Sequence, residues 1–321
     1  MEKQHNPSQV YQRKQRLIIA GILALVLVIA AGIFIYWGRK KVVWFCDEIY
    51  TYMLSNSAYG VSSRLFSKTW YTSQFVVDDL SCECGKFLTR AKVNVSVDVH
   101  PPMYFYLFHL FTFYSGNNLS KWVGLSLNLI CFLGMVAAAY FLILRLCKNK
   151  YLAGFMAIAL STVPSLLTDA MLLRMYCLMM AWGMIYALLA VLIMQDFWKE
   201  SKLRILLYIA ICLTTAGGFL THFYFSIFAV VFSVFACCYL LSKKRFWSVL
   251  SYGIAMVTSV GISTLVWPFW TDQVFNEYRG EQAFNNAMNL DKLASTFQFG
   301  LKVLPYQMFF GLWVVAMIAV L

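Results

Sequence analysis

Several short stretches of this 321-residue chain bring together residue types that do chemistry. Cys46-Asp47-Glu48 sets two adjacent carboxylates among aromatics, just past the first apolar run. A carboxylate beside a bound hydroxyl can take its proton. The same pair also suits the first turn of a helix, where acids meet the positive end of the dipole. Further on stands Asp98-Val99-His100-Pro101-Pro102. Residues before proline are pushed toward extended geometry, and alternate residues of an extended chain share a face. Asp98 and His100 are therefore expected to point the same way. That pair suits proton transfer, metal binding or the holding of a phosphate, and it equally fits a helix-start turn with an incidental histidine.

Three more stretches carry polar groups between apolar runs. Asp169 and Arg174 are five apart, so they do not stack on one helix face. An ionisable residue in such a setting is a functional candidate, although an arginine there can also snorkel to lipid headgroups. His222 sits in a tight turn, Thr221-His222-Phe223-Tyr224, where a structural role is the commoner one. Arg279 and Glu281 flank Gly280. They could pair with each other, face a ligand phosphate, or belong to a solvated loop. A divalent cation on Asp47, Glu48, Asp98 or His100 would be Mg²⁺ or Mn²⁺ rather than zinc, apart from the histidine.

The elements that must hold these residues are membrane helices. Hydrophobic residues make up 61% of the chain and charged ones only 12%, with a mean hydropathy of +0.68. A soluble domain is about 25% charged, so there is too little polar material here to cover a soluble surface. Leu17 to Gly38 and Trp122 to Leu144 carry no charge. Each exceeds the roughly 20 apolar residues that cross a bilayer core, and in lipid such runs must be helical. The apolar runs are 17–38, 121–144, 151–168, 175–195, 204–221, 223–241, 247–268 and about 301–321. The expected fold is an all-α polytopic membrane protein of about eight spans. The apolar run 103–114 is too short to cross and reads as an interfacial or partly inserted helix. The expected organisation is a basic N-terminus over 1–16 followed by one membrane domain over 17–321. That domain carries a long loop over 39–120 and a last loop over 269–300.

Charge assigns the sides. Basic residues collect in 1–16 (Lys3, Arg13, Lys14, Arg16), 145–150, 196–204 and 242–246. If 103–114 does not cross, these are alternate connections, and short basic connections are cytoplasmic. Asp47, Glu48, Asp98, His100, Asp169, Arg174, His222, Arg279 and Glu281 then all lie on the opposite face. Arg39, Lys40 and Lys41 run against the rule, and they could instead meet lipid phosphates at the interface. The net charge of +12 is thus a topology signal rather than a sign of nucleic-acid binding, because the basic residues are dispersed at the ends of apolar runs.

The first run reads as an uncleaved signal anchor, too long for a signal-peptide core and without a small-residue cleavage site. The nine cysteines show no metal-site spacing. A disulfide from Cys46 to Cys82 or Cys84 is open if that loop is extracytoplasmic. Two sequons, at Asn94 and Asn118, are expected on the outer face. The last apolar run has no polar flank, so the natural chain is expected to continue past Leu321.

The string Asp98-Val99-His100-Pro101-Pro102-Met103-Tyr104-Phe105 resembles the D-x-H-P-P-L-Y-Y signature of GT-C fold glycosyltransferases. The nearest type is family 39, which includes protein O-mannosyltransferases and their bacterial relatives. Asp47-Glu48 is similar to the acidic motif in the first outer loop of those enzymes. Arg174-Met175-Tyr176, Thr221-His222-Phe223-Tyr224 and Tyr278-Arg279-Gly280-Glu281 resemble motifs of bacterial members. The resemblance implies a polyprenyl-phosphate-sugar donor, a lipid, glycan or protein acceptor, and an outward-facing site in a bacterial plasma membrane. It also implies inversion at the anomeric carbon, with Asp47 at the position of the general base. Two other readings remain open: a transporter or flippase for a lipid-linked or polar solute, and a non-catalytic scaffold.

Overall fold

The computed structural model describes residues 7–58, 60, 69–81, 88–116, 119–196, 201–276, 281–282, 285–286 and 288–309. The described chain is helical throughout, with no strand among the described residues. Among the described residues, six helices are long and apolar enough to cross a membrane. They are α1 (Pro7–Lys40), α6 (Lys121–Cys147), α9 (Tyr176–Met194), α10 (Ser201–Thr221), α11 (Tyr224–Ser242) and α12 (Phe246–Val266). The chain is an all-α polytopic membrane protein.

The run 151–168, expected as one span, is instead two helices. α7 (Lys150–Ser161) and α8 (Pro164–Met171) meet at a 58° bend. Pro164 opens α8 and has no N–H to continue the ladder of α7. Val163 before it is extended, with φ −62° and ψ 123°. Counted as one broken span, the pair brings the total to seven. The eighth expected run, 301–321, falls largely outside the described residues. Its first turns belong to α14 (Leu290–Phe309).

The long first loop folds into α2 (Cys46–Asn56), α3 (Ser73–Leu80), α4 (Thr89–Ser96) and α5 (Met103–Tyr114). With 12 residues, α5 is about 18 Å long and cannot cross a core of about 30 Å. It lies against α6 and α2 instead, with Tyr104, Phe105, Phe108, His109 and Thr112 buried. Gly124 on α6 permits this contact. A Cβ there would come within 2.7 Å of Phe108 and 2.8 Å of Leu173.

Side-chain amides tie the short helices together. Asn94 Nδ2 faces three carbonyls at the end of α2, those of Met53, Leu54 and Ser57, at 2.9–3.3 Å. It satisfies acceptors that a helix C-terminus leaves open. Asn94 is buried, so this sequon does not stand on an outer surface as expected. Asn118 lies outside the described residues. His109 donates from Nδ1 to the Ser55 carbonyl at 2.8 Å, linking α5 to α2.

The two ends of the bundle differ. At one end, Lys150 meets Gln15 of α1. There too Arg245 donates to the last carbonyls of α9, Ile193 and Met194, and pairs with Asp196 at 3.0 Å. Asp47, Glu48, Asp98, His100, Arg174 and His222 gather at the other end.

Candidate functional site

The acid pair opens α2, and its two carboxylates face different surroundings. Glu48 is fully buried. Its Oε2 accepts the Phe45 amide at 2.7 Å, which closes the first turn of α2 on itself. Its Oε1 accepts the Leu173 amide at 2.9 Å, and Lys41 Nζ lies 2.9 Å from both oxygens. Glu48 thereby fastens the end of α1, the start of α2 and the bend after α8 to one another. Asp47 is 38% exposed, and its nearest cation, Arg174 Nη2, is 3.9 Å from Oδ2. The Cys46 thiol is free among the described residues and lies 3.8 Å from Oδ1, while Cys82 and Cys84, the disulfide partners considered for it, lie outside those residues. The Asp47 carboxylate therefore has its charge partner at the edge of contact and retains lone pairs toward open space.

Arg174 is only 4% exposed. Its Nη2 reaches His100 Nε2 at 3.2 Å, and its Nη1 donates to the Asp47 carbonyl at 3.4 Å. Its Nε has no hydrogen-bond partner among the described residues. A guanidinium only donates, so His100 Nε2 accepts and the ring proton sits on Nδ1. That proton points at Asp98 Oδ2, 2.6 Å away. Burial works against charge on Asp98. The hydrogen bond from His100, the Val99 amide and the nearby Arg174 charge outweigh it and hold the carboxyl below its ordinary value.

Asp98 and His100 meet as expected, but by a different local geometry. Residues 97–100 form a turn rather than a strand, with the Asp98 amide bonded to the Val95 carbonyl at 3.1 Å. Pro101 and Pro102 then lead into α5. His222, at the α10–α11 turn, completes the group from the far side. Its ring centroid is 6.4 Å from that of His100 and 5.8 Å from that of Tyr176. Its Nδ1 accepts the Tyr224 amide at 3.1 Å.

Six of the expected site residues thus converge: Asp47, Glu48, Asp98, His100, Arg174 and His222. Glu281 is exposed and bonds to none of them. Arg279 lies outside the described residues. Among the described residues, no three His, Cys, Asp or Glu side chains stand close enough to hold a metal ion. Of the four residues read as possible cation ligands, three are already engaged with other side chains. Glu48 is bonded to Lys41, Asp98 to His100, and the Arg174 guanidinium lies between His100 and Asp47.

Two positioning amides escaped the sequence reading. Asn128, inside the apolar α6, donates to the Ala170 and Leu172 carbonyls at 3.0 and 2.6 Å and accepts from Tyr104 OH at 3.0 Å. It fixes the bend that presents Arg174. Gln273 belongs to α13 (Trp270–Phe275). Its amide donates to the carbonyls of Val95, Asp98 and His100 at 2.7–3.3 Å, and its oxygen accepts Trp267 Nε1 at 2.8 Å. For Asn128 the available signal was a lone amide in apolar sequence, which must find partners when buried.

The arrangement is a half-open carboxylate beside a buried guanidinium whose orientation is set by a His–Asp pair. It can accept a proton at Asp47 and stabilise an anion at Arg174. No family model, curated protein or solved structure matches this chain, so the task of the site is argued from its own geometry.

Proposed function

We propose that this protein is an integral membrane glycosyltransferase. It would move a sugar from a polyprenyl-phosphate donor to an acceptor hydroxyl on the extracytoplasmic face, with the N-terminus cytoplasmic. Asp47 takes the hydroxyl proton as the oxygen attacks the anomeric carbon from the side opposite the phosphate. The bond from that carbon to the phosphate oxygen breaks, and the lipid phosphate leaves with the electron pair. The leaving group is already an anion and needs no general acid. Arg174 stabilises the charge that builds on it, and Arg279 is the second candidate for that role.

The observation that carries this reading is the contrast at Asp47 and Arg174. The carboxylate is 38% exposed and loosely paired, and the buried guanidinium beside it has an Nε with no hydrogen-bond partner among the described residues. A resting ion pair would be tight; a base and an anion clamp are held apart. Mass spectrometry of the purified chain with polyprenyl-phosphate sugars and membrane acceptors tests it. Formation of a product heavier than the acceptor by one sugar residue is expected. Absence of any product across hexose and pentose donors would remove the reading.

One feature favours a second reading. The 58° break between α7 and α8 is of the kind that transporters use around substrates. A flippase would move a lipid-linked or polar solute between leaflets of a vesicle without any transfer of sugar.

A further inference from the structure

The short helix α13 reaches both segments that carry the site histidines. Its place is fixed from α12. That helix ends at Val266, and Trp267 caps it with φ −140° and ψ 79°. Pro268 follows and has no N–H with which to extend it. Trp267 is fully buried, its ring 6.3 Å from that of Tyr106 on α5 and 4.9 Å from that of Phe269. The chain is thus anchored just before α13 begins.

Two side chains of α13 face different partners. Gln273 is buried. Its Nε2 lies 2.9 Å from the Val95 carbonyl at the end of α4, 2.7 Å from that of Asp98 and 3.3 Å from that of His100. A primary amide has two N–H donors, so one of them is shared between two of these carbonyls. The Trp267 indole holds the amide oxygen at 2.8 Å. Trp270 lies three residues earlier. Its Nε1 donates to Thr264 Oγ1 at 3.0 Å, and its ring stands edge-on to Phe219 of α10 at 5.4 Å. Phe219 in turn packs at 5.2 Å on Phe223, the residue after His222. One helix of six residues therefore grips the Asp98–His100 turn with one side chain and backs the α10–α11 turn with another.

We propose that α13 braces the site, with Gln273 and Trp270 as positioning residues that fix the separation of His100 and His222. The ring centroids of the two histidines stand 6.4 Å apart. A turn has no ladder of its own to resist rotation, and the carbonyls of Asp98 and His100 rotate together with the side chains beside them. Holding both carbonyls on Gln273 keeps the two side chains directed at each other. Through the 3.2 Å contact of His100 with Arg174, the brace also sets the direction of the guanidinium. Its effect on sugar transfer rests on the proposed function; its effect on the histidines does not.

Carbethoxylation by diethyl pyrocarbonate tests it, with the full chain reconstituted in phosphatidylcholine vesicles and each histidine followed by mass spectrometry of its peptide. In the parent protein both ring nitrogens of His100 are engaged, by Asp98 and by Arg174, and modification there is expected to be slow. Gln273→Met keeps the bulk of the side chain and removes its donors. It is expected to speed modification of His100 about tenfold, the scale of one lost hydrogen bond. Trp270→Leu is expected to do the same at His222. His109, buried on α5 against the Ser55 carbonyl, is the control and should keep its parent rate in both variants. If Gln273→Met does not fold, Gln273→Asn serves, since its amide stops about 1.5 Å short of the carbonyls. Parent-like rates at His100 or at His222 overturn the brace. So does a matching rise at His109, which would mean that the fold has loosened as a whole. Transfer by Gln273→Met should fall roughly 10²-fold, with turnover losing more than apparent donor affinity. Full transfer with His100 exposed would overturn the link from the brace to Arg174. The labelling needs no sugar. A parent chain that transfers nothing, while its variants label as expected, upholds the brace and removes only the glycosyltransferase reading.

Discussion

Arg174 Nη2 sits 3.2 Å from His100 Nε2, joining two residues 74 positions apart in the chain. The contact explains why a positive group is tolerated at 4% exposure. His100 accepts from it, Asp98 fixes the tautomer of His100, and Asp47 supplies a negative charge at 3.9 Å. A buried guanidinium with this support is held in place before any ligand arrives.

The fork shape of Arg174 matters as much as its charge. One terminal nitrogen reaches His100 while the other reaches the Asp47 carbonyl. Lysine cannot do both. Arg174→Lys is expected to lower sugar transfer by roughly 10²–10³-fold, the scale of losing one anion-stabilising donor. Single-turnover rates with saturating donor would show this as a loss in the chemical step. An unchanged rate would mean that charge alone suffices.

The acid pair should divide cleanly under mutation. Glu48→Gln leaves the buried Lys41 contact without its countercharge and is expected to destabilise the fold by about 3–5 kcal/mol. Replacing both Lys41 and Glu48 by Met and Leu should recover part of that loss. Thermal unfolding in detergent reads both variants. Asp47→Asn, at a half-exposed position with its cation at 3.9 Å, should cost far less than Glu48→Gln.

Much of the fold was legible because apolar runs translate directly into membrane helices. Five of the six helices long enough to span start and end within three residues of the runs 121–144, 175–195, 204–221, 223–241 and 247–268. The break after Ser161 does not show in hydropathy, because Pro164 sits inside an otherwise apolar run. The site was legible as a set of candidates on one side. Its internal division was not. Adjacent Asp47 and Glu48 look alike in sequence, and what separates them is the amide of Leu173, 125 residues away. Asn128 and Gln273 carried no motif, since a single amide gains meaning only from the carbonyls that fold around it.

Asp98 gives a pH signature with a definite sign. Its carboxyl is held below the ordinary value of 3.8 in the folded protein. Its contribution to stability is therefore complete above that value and is lost as pH falls through the lowered one. The difference in melting temperature between the parent and Asp98→Asn should be flat from pH 5 to pH 8, above the ordinary value, and shrink below about pH 4. A difference that already changes between pH 6 and pH 7 would point to another group.

Asn128 should act on the site without touching it. Asn128→Leu strands the Ala170 and Leu172 carbonyls and the Tyr104 hydroxyl. Each buried group left unsatisfied costs about 1–3 kcal/mol. Loss of stability should therefore accompany a loss of transfer, since the Arg174 bend is no longer pinned. Asn128→Asp should not rescue either, because a carboxylate cannot donate to those carbonyls.

The most direct measurement is the transfer rate of Asp47→Asn in reconstituted vesicles, alongside its thermal unfolding. The substitution keeps the shape of the side chain and removes its ability to take a proton. The expected result is a fall of roughly 10²–10⁴-fold in transfer with at most a small loss of melting temperature. Transfer close to that of the parent protein would contradict the assignment of Asp47 as the base, and with it the central claim for this site.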